Sequence, residues 1–218
     1  MRSKFDQQLA LLNDELTQMG ETCAKAICLA AQALEEQNAS TAAPVAELEE
    51  QTNEQERTIE ALCLKLLLQQ QPVARDLRQI SAALKMITDM ERIGDQAEDI
   101  AEIVAFLDGR QAENDALLKE MAKAVIQMVT ESVDAYVKCD IMLAKKVIAA
   151  DDVVDEQFAR VKQSLIGKIA ADPADGEYAL DLLMIAKYYE RIGDHATNIA
   201  EWVIYSVTGT HKDEITLT

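Results

Sequence analysis

The chain has 218 residues and a formal net charge of -18, which arises from 39 acidic and 21 basic side chains. Aromatic residues make up only 4% of the sequence, and 7 glycines and 3 prolines leave few turns, which excludes an all-β fold. The negative charge repels phosphate backbones and anionic headgroups, so we expect no direct binding to nucleic acid and no insertion into a membrane.

The first half of the chain predicts three helices. Apolar and small side chains recur at alternating steps of three and four residues, which predicts a helix over residues 3–37. Pro44 suits the first turn of a second helix, over residues 43–70, because the N–H groups of that turn are unpaired in any case. Asp76 is predicted to cap a third helix, which continues until the Asp-Gly pair at residues 108–109.

The second half predicts three more helices in the same order. Pro173 and Gly176 mark the turn before the last of them, and Gly209 ends it. The predicted helices cover residues 113–138, 140–170 and 176–207.

The two halves also repeat specific residues. Residues 91–102 recur as residues 190–201, identical at nine of twelve positions with an offset of 99. Upstream the offset becomes 102, which pairs Leu16 with Leu118. The repeat unit is therefore a set of three helices.

The duplication predicts the architecture. Three antiparallel amphipathic helices joined by short connections can close one core. We therefore predict an all-α fold of two tandem repeated three-helix bundles, six long helices in all, packed side by side. The first repeat would cover residues 1–110 and the second residues 111–218.

A row of oxygen-bearing side chains lies on one face of the last helix of each repeat. Residues three or four apart share a helix face, and like charges at this spacing are mildly destabilising, which calls for a functional explanation. The helix before each row adds an acidic pair, Glu49 and Glu50 or Asp151 and Asp152, with Asn53 or Asp155 one turn later. The two rows are Glu91, Asp95, Asp99 and Glu102, then Glu190, Asp194, Asn198 and Glu201.

These acidic helices predict a metal site in each repeat. Clustered carboxylates without Cys or His favour Mg, Ca, Mn or Fe, and they also accept Zn. A glycine inside a helix costs about 1 kcal/mol relative to alanine, so Gly94 and Gly193 predict a close helix approach beside the carboxylates. The alternative interpretation is a solvated acidic face on a protein that is acidic throughout.

The four cysteines indicate a reducing compartment. Cys23, Cys28, Cys63 and Cys139 form no CxxC pair and lie in periodic apolar stretches, where a free cysteine behaves as a small buried hydrophobe. The sequence has no 18-residue apolar span and no apolar segment typical of a signal peptide near its first residues. We therefore expect a cytoplasmic protein.

The doubled Glu-Arg-Ile-Gly-Asp segments at residues 91–95 and 190–194, each followed by Ile-Ala-Glu, resemble the PhoU family. The segment Pro-Val-Ala-Arg-Asp-Leu-Arg at residues 72–78 resembles a second motif of that family. This resemblance implies a cytoplasmic negative regulator of phosphate signalling and uptake, not an enzyme. The implied partners are the sensor histidine kinase of the phosphate two-component system, the ATPase subunit of the Pst transporter, and a second copy in a homodimer.

The resemblance also implies bound metal ions or metal clusters, of Fe, Mn, Mg or Zn, held by Glu/Asp-x-x-x-Asp motifs. Three pairs match that motif, and one departs from it because Glu49 is followed by Asn53, whose amide is a weaker ligand. Asn198 makes the same change relative to Asp99. The matching pairs are Glu91 with Asp95, Asp151 with Asp155, and Glu190 with Asp194.

The sequence is also compatible with two other functions. Residues 151–155 read Asp-Asp-Val-Val-Asp, which resembles the motif that helical isoprenoid synthases use to hold Mg and a diphosphate. Such an enzyme needs more positive charge and a wider apolar interior than this chain predicts. A di-iron oxidase is disfavoured because no Glu-x-x-His surrounds His195 or His211. A metal-free helical adaptor is the second alternative.

Overall fold

The computed structural model describes residues 2–70, 72–107 and 115–210. It confirms the all-α fold and the six long helices, and it adds a four-residue helix, α2, in the first connection. The Asn38 side chain accepts a hydrogen bond from the Ser40 N–H at the start of α2. The helices are α1 (Arg2–Glu36), α2 (Ala39–Ala42), α3 (Pro44–Gln70), α4 (Ala74–Phe106), α5 (Asp115–Lys138), α6 (Ile141–Ala171) and α7 (Gly176–Thr208), with a 3-10 turn at Pro173–Asp175 before α7.

The helix ends follow the sequence signals with one exception. The prediction that Asp76 caps α4 is wrong, since α4 begins at Ala74 after an extended Val73 that makes no side-chain cap. Asp76 lies inside the first turn, where its negative charge faces the positive end of the helix dipole. Gly209 ends α7 as predicted, at a left-handed φ of 79°. The predicted stop at residues 108–109 and the boundary between the repeats lie outside the described residues.

The six long helices form two layers. In one layer α3, α4, α7 and α6 lie side by side in that order, so that α4 and α7 meet at the centre of the molecule. In the other layer α1 packs on α3 and α4, α5 packs on α6 and α7, and α1 and α5 contact each other. The buried side chains of both repeats form one continuous apolar cluster, so the bundles pack side by side as predicted.

Burial of the cysteines agrees with the prediction for two of the four. All four are free, Cys23 and Cys63 are buried, and burial raises the pKa of each of these thiols to about 12. The Cys23 thiol donates to the Met90 carbonyl at 3.3 Å. Cys28 is exposed, contrary to prediction, because it lies on the side of α1 that faces the outer groove toward α5.

None of the described helices is both long and apolar enough to span a membrane.

Candidate metal centres on the acidic face

The carboxylates predicted as ligands lie on the layer formed by α3, α4, α7 and α6. We call the group at the α3–α4 seam the first cluster and the group at the α6–α7 seam the second cluster. The first contains Glu49, Asn53, Glu91, Asp95 and Glu98, and the second contains Asp151, Asp155, Glu190 and Asp194.

A glycine allows the helices to approach closely in each cluster, as the sequence predicts. A Cβ atom built on Gly94 would lie 3.3 Å from the Thr52 Cβ atom on α3. A Cβ atom built on Gly193 would lie 3.2 Å from Asp151 Oδ1 on α6. Gly193 therefore leaves the space that the Asp151 carboxylate occupies.

The carboxylates of the second cluster lie close enough to repel one another. Burial, followed by the charges of Asp194, Asp155 and Glu190, raises the pKa of Asp151 to about 6. Burial and the neighbouring Glu190 also raise the pKa of Asp194. Lys187 forms an ion pair with Glu190 and offsets part of this repulsion. Such concentrated negative charge favours a bound cation.

The first cluster has similar electrostatics with different side chains. Burial and then the charge of Asp95 raise the pKa of Glu91. The Asn53 amide donates a hydrogen bond to Glu49 Oε1. An Arg92 guanidinium nitrogen lies 2.8 Å from Asp95 Oδ2 and another lies 3.4 Å from Glu91 Oε2, so Arg92 forms both ion pairs within its own helix.

Glu98 is a member of the first cluster that the sequence analysis missed. Burial raises the pKa of Glu98, and among its neighbours the charge of Glu49 on α3 has the largest effect, followed by Glu102. Its position seven residues after Glu91 places both on one face of α4. The signal was overlooked because the second repeat has Thr197 at the equivalent position.

The third position of each row lies at the α4–α7 seam between the repeats. Asn198 donates from its amide to Asp89 Oδ1 at 3.1 Å, and His195 Nδ1 lies 2.9 Å from the same oxygen. In the other repeat, burial and the charges of Glu102 and Asp95 raise the pKa of Asp99, and Arg191 and a hydrogen bond with Tyr188 lower it. Asp99 and Asn198 thus join the two repeats.

These two contacts are equivalent under the offset of 99. Asp89 corresponds to Tyr188, and Asn198 corresponds to Asp99, so acid and hydrogen-bond donor have exchanged places across the seam. His195 therefore lies in an internal contact between the two repeats. The charge of Arg191 on α7 acts on the Asp99 carboxylate of the neighbouring helix α4.

The Asp89 contacts should stabilise the packing of the repeats. Replacing Asp89 by alanine leaves His195 and Asn198, both partly buried, without their acceptor. We expect Asp89→Ala to lower the free energy of unfolding by about 1–3 kcal/mol, measured by urea denaturation. Asp6→Ala, at an exposed position of α1, is the control. Equal stability of the two variants would contradict this role for Asp89.

The remaining predicted ligands lie at the edges of the clusters. Glu102 is exposed on α4, and Glu201 is half-buried on α7. Asp152 and Asp155, which belong to the Asp-Asp-x-x-Asp sequence, are exposed on α6, and neither lines the groove between α1 and α5 or the cavity between the end of α4 and the start of α7. This placement gives no support to the diphosphate-enzyme interpretation.

The donor chemistry of both clusters fits an oxygen-liganded cation. In each cluster carboxylates from two helices face each other, and Gly193 provides space for one of them. Within residues 2–70, 72–107 and 115–210, no three His, Cys, Asp or Glu side chains are placed so that together they could hold a metal ion. Binding would therefore require rotation of partly exposed carboxylates, including release of Glu190 from Lys187 and of Asp95 from Arg92.

Comparison with known proteins places this geometry in a family. The model of the PhoU domain matches residues 16–104 and 118–203. A phosphate-specific transport system accessory protein PhoU homolog from Clostridium acetobutylicum is 35% identical over 216 residues, covering 97% of this chain and 98% of that protein. The homolog of the same description from Pseudomonas aeruginosa is 34% identical, covering 99% of this chain and 90% of that protein.

Solved structures show the same fold. The crystal structure of PhoU from Pseudomonas aeruginosa matches with a TM-score of 0.90 at 34% identity, covering 94% of this chain and all of that one. The phosphate transport system regulatory protein PhoU from Streptococcus pneumoniae matches with a TM-score of 0.87 at 25% identity, covering 95% of this chain and 98% of that one.

Proposed function

The chain belongs to the PhoU family, and we propose that it is a non-enzymatic accessory protein of the phosphate-specific transport system. The observation that carries this proposal is the match in sequence and fold over nearly the whole chain and over both repeats. In this role the protein restrains phosphate uptake and the phosphate-starvation response when phosphate is plentiful. It works in the cytoplasm as an adaptor between the ATPase subunit of the transporter and the sensor histidine kinase.

Loss of the gene tests this function in cells. We expect a deletion strain to express a phosphate-starvation reporter in phosphate-rich medium, because the restraint is missing, and the full chain to restore repression. Purified protein should bind the isolated ATPase subunit and the cytoplasmic part of the kinase in a surface-based binding assay. An unchanged reporter together with no binding to either partner would overturn the proposal.

We further propose that the two clusters bind oxygen-liganded metal ions, such as Mn, Fe, Mg or Zn. The support is the concentration of carboxylates on two facing helices in each repeat, with a glycine beside Asp151. Glu49, Glu91 and Asp95 would hold the ion in the first cluster, and Asp151, Glu190 and Asp194 in the second. The bound ion would supply positive charge that offsets the mutual repulsion of these carboxylates.

Thermal melts with added Mn²⁺ test the metal sites. An ion at 100 times its dissociation constant stabilises a protein by about 2.7 kcal/mol, which corresponds to a rise in Tm of about 5–10 °C for a chain of this size. We expect the double variant Glu190→Gln, Asp194→Asn to lose the part of the Tm rise that comes from the second cluster. The double variant Glu91→Gln, Asp95→Asn should lose the part that comes from the first cluster. Elemental analysis of protein purified without chelator should show the same losses.

A matched pair of substitutions controls for charge. Glu21→Gln with Glu120→Gln removes the same two negative charges from exposed positions of α1 and α5, away from both clusters. We expect this variant to keep the Mn²⁺ response of the wild type. If all three variants respond alike, the added ions only screen the net charge and the metal proposal is wrong.

A further inference from the structure

An open groove lies between α1 and α5, away from both clusters. It has a volume of about 270 Å³, and its walls are mainly apolar side chains of the second half of α1 and the first half of α5. Tyr189 of α7 lines the same groove and is fully buried. This volume is just below the range of about 300–1,000 Å³ that is typical of drug-sized ligand sites, so the groove suits a compact ligand.

The repeat explains why the groove is open here and closed at its equivalent position. Under the offset of 102, Ala31 and Ala122 of the groove correspond to Val133 and Gly20. There the helices pack tightly, since a Cβ atom on Gly20 would lie 3.0 Å from Val133 Cγ2. The two alanines leave unfilled the space that a valine packed against a glycine fills in the equivalent seam.

Tyr189 places a hydrogen-bonding group without a partner in the wall of this groove. Its hydroxyl is buried and has no hydrogen-bond partner among the described residues. Tyr189 and the exposed Cys28 line the same groove. The equivalent residue in the first repeat is Met90, which packs without a hydroxyl. Packing alone therefore does not require this hydroxyl.

The rim of the groove carries a lysine whose positive charge is not neutralised by an ion pair within the described residues. Lys119 forms an ion pair with Glu35 across the groove, which leaves that pair neutral. Lys123 is exposed, lines the groove and forms no ion pair within the described part of the chain. The charged side chains that line the groove are Glu35, Lys119 and Lys123, so the groove is locally positive although the protein as a whole has a net charge of -18. This local charge favours an anionic ligand over a cationic one.

We propose that the α1–α5 groove is a binding site for a small organic anion with a compact apolar body. The body lies between the two alanines, and the anionic group meets Lys123 at the rim. The Tyr189 hydroxyl is covered by the groove wall in the free protein, and once the wall opens it donates a hydrogen bond to an acceptor oxygen at the other end of the ligand. None of the residues that line this site belongs to the two metal clusters.

The probe 6-hydroxy-2-naphthoate has these three features, and 2-naphthoate lacks only the hydroxyl. We expect the first to bind wild-type protein about tenfold more tightly than the second in isothermal titration calorimetry, because only it can use Tyr189. Tyr189→Phe should abolish that difference while leaving 2-naphthoate binding unchanged. Ala31→Leu should fill the groove and weaken both probes at least about tenfold.

Substitutions of two lysines and the protection of the Cys28 thiol by bound probe provide the controls. Lys123→Gln should weaken both probes, whereas Lys25→Gln, at an exposed position of α1 outside the groove, should not. Bound probe should slow the modification of Cys28 by N-ethylmaleimide without changing the rate at Cys139. No binding at millimolar concentration, or binding that Ala31→Leu and Lys123→Gln leave unchanged, would overturn the proposal.

Discussion

Asp151→Asn should make the protein more stable and at the same time weaken its binding of cations. In the folded protein Asp151 is partly buried against Asp194, Asp155 and Glu190, and this raises its pKa from 3.8 to about 6. Above that pH the ionised carboxylate is therefore less favourable in the folded chain than in the unfolded one. Asparagine removes the charge and keeps the shape of the side chain.

The pH dependence of this effect has a definite sign. A carboxyl group with a raised pKa binds its proton more tightly in the folded state, so its contribution to stability falls as the pH rises from about 4 to about 6. The penalty is complete above pH 6 and absent below pH 4. We expect the stability advantage of Asp151→Asn to be large at pH 8 and to vanish near pH 4.

The size of the stabilisation follows from the raised pKa of Asp151, reduced because solvent screens part of its charge. A shift of about 2 pKa units corresponds to about 3 kcal/mol, and because the side chain is only partly buried we expect about 1–2 kcal/mol at pH 8. Tm should rise by about 2–8 °C. Thermal melts of both proteins between pH 4 and pH 8 measure the difference without added metal.

The same substitution removes a proposed ligand, so the dissociation constant for Mn²⁺ at the second cluster should rise at least about tenfold. Asp155→Asn removes an equal charge from an exposed position of the cluster and should stabilise less. A gain in stability with a loss of binding is typical of residues retained for function. A lower Tm for Asp151→Asn at pH 8 would contradict this explanation.

The helices and the repeat were predictable because each depends on local order. A periodic row of apolar side chains requires no knowledge of distant residues, and the offset of 99 is visible in the sequence itself. The exposure of Cys28 was predictable too, since it lies off the line of Cys23 and Ala26 that faces the core. The prediction that Cys28 is buried was wrong because it treated the whole apolar stretch as buried, whichever face of the helix a residue lies on.

The contacts between the repeats could not be predicted in the same way. Asp89 meets Asn198 across 109 residues of chain, and the two positions do not repeat each other. Their contact depends on how α4 lies against α7, which helical periodicity does not specify. The spacing of seven residues between Glu91 and Glu98 already predicts that both lie on one face of α4. Glu98 was missed because the rows were defined by equivalent positions in both repeats. The comparison of repeats therefore revealed the amides at Asn53 and Asn198, which replace a carboxylate of the other repeat, but missed Glu98, whose equivalent is Thr197.

Gly94→Ala and Gly193→Ala should change stability in opposite directions, although the two glycines are equivalent in the repeat. Alanine gains about 1 kcal/mol over glycine inside a helix at either position. The added methyl group then meets a different neighbour in each cluster. The balance depends on whether that neighbour can move.

At Gly94 the neighbour cannot move. The new Cβ atom would lie 3.3 Å from the Thr52 Cβ and Cγ2 atoms. Thr52 is fully buried, and its hydroxyl donates to the Leu48 carbonyl at 2.9 Å. We expect overpacking to exceed the gain in helix propensity, so that Gly94→Ala loses about 1–2 kcal/mol in urea denaturation.

At Gly193 the neighbour can move, and its movement should affect cation binding. The new Cβ atom would lie 3.2 Å from Asp151 Oδ1, the end of a side chain that can rotate toward solvent, while Val154 and Met128 remain at ordinary contact distances. Gly193→Ala should therefore gain about 0.5–1 kcal/mol in stability. The displaced carboxylate should weaken Mn²⁺ binding at the second cluster and leave the first cluster unaffected. If Gly193→Ala binds Mn²⁺ as the wild type does, Asp151 is not a ligand, and the glycine serves only to bring α6 and α7 together.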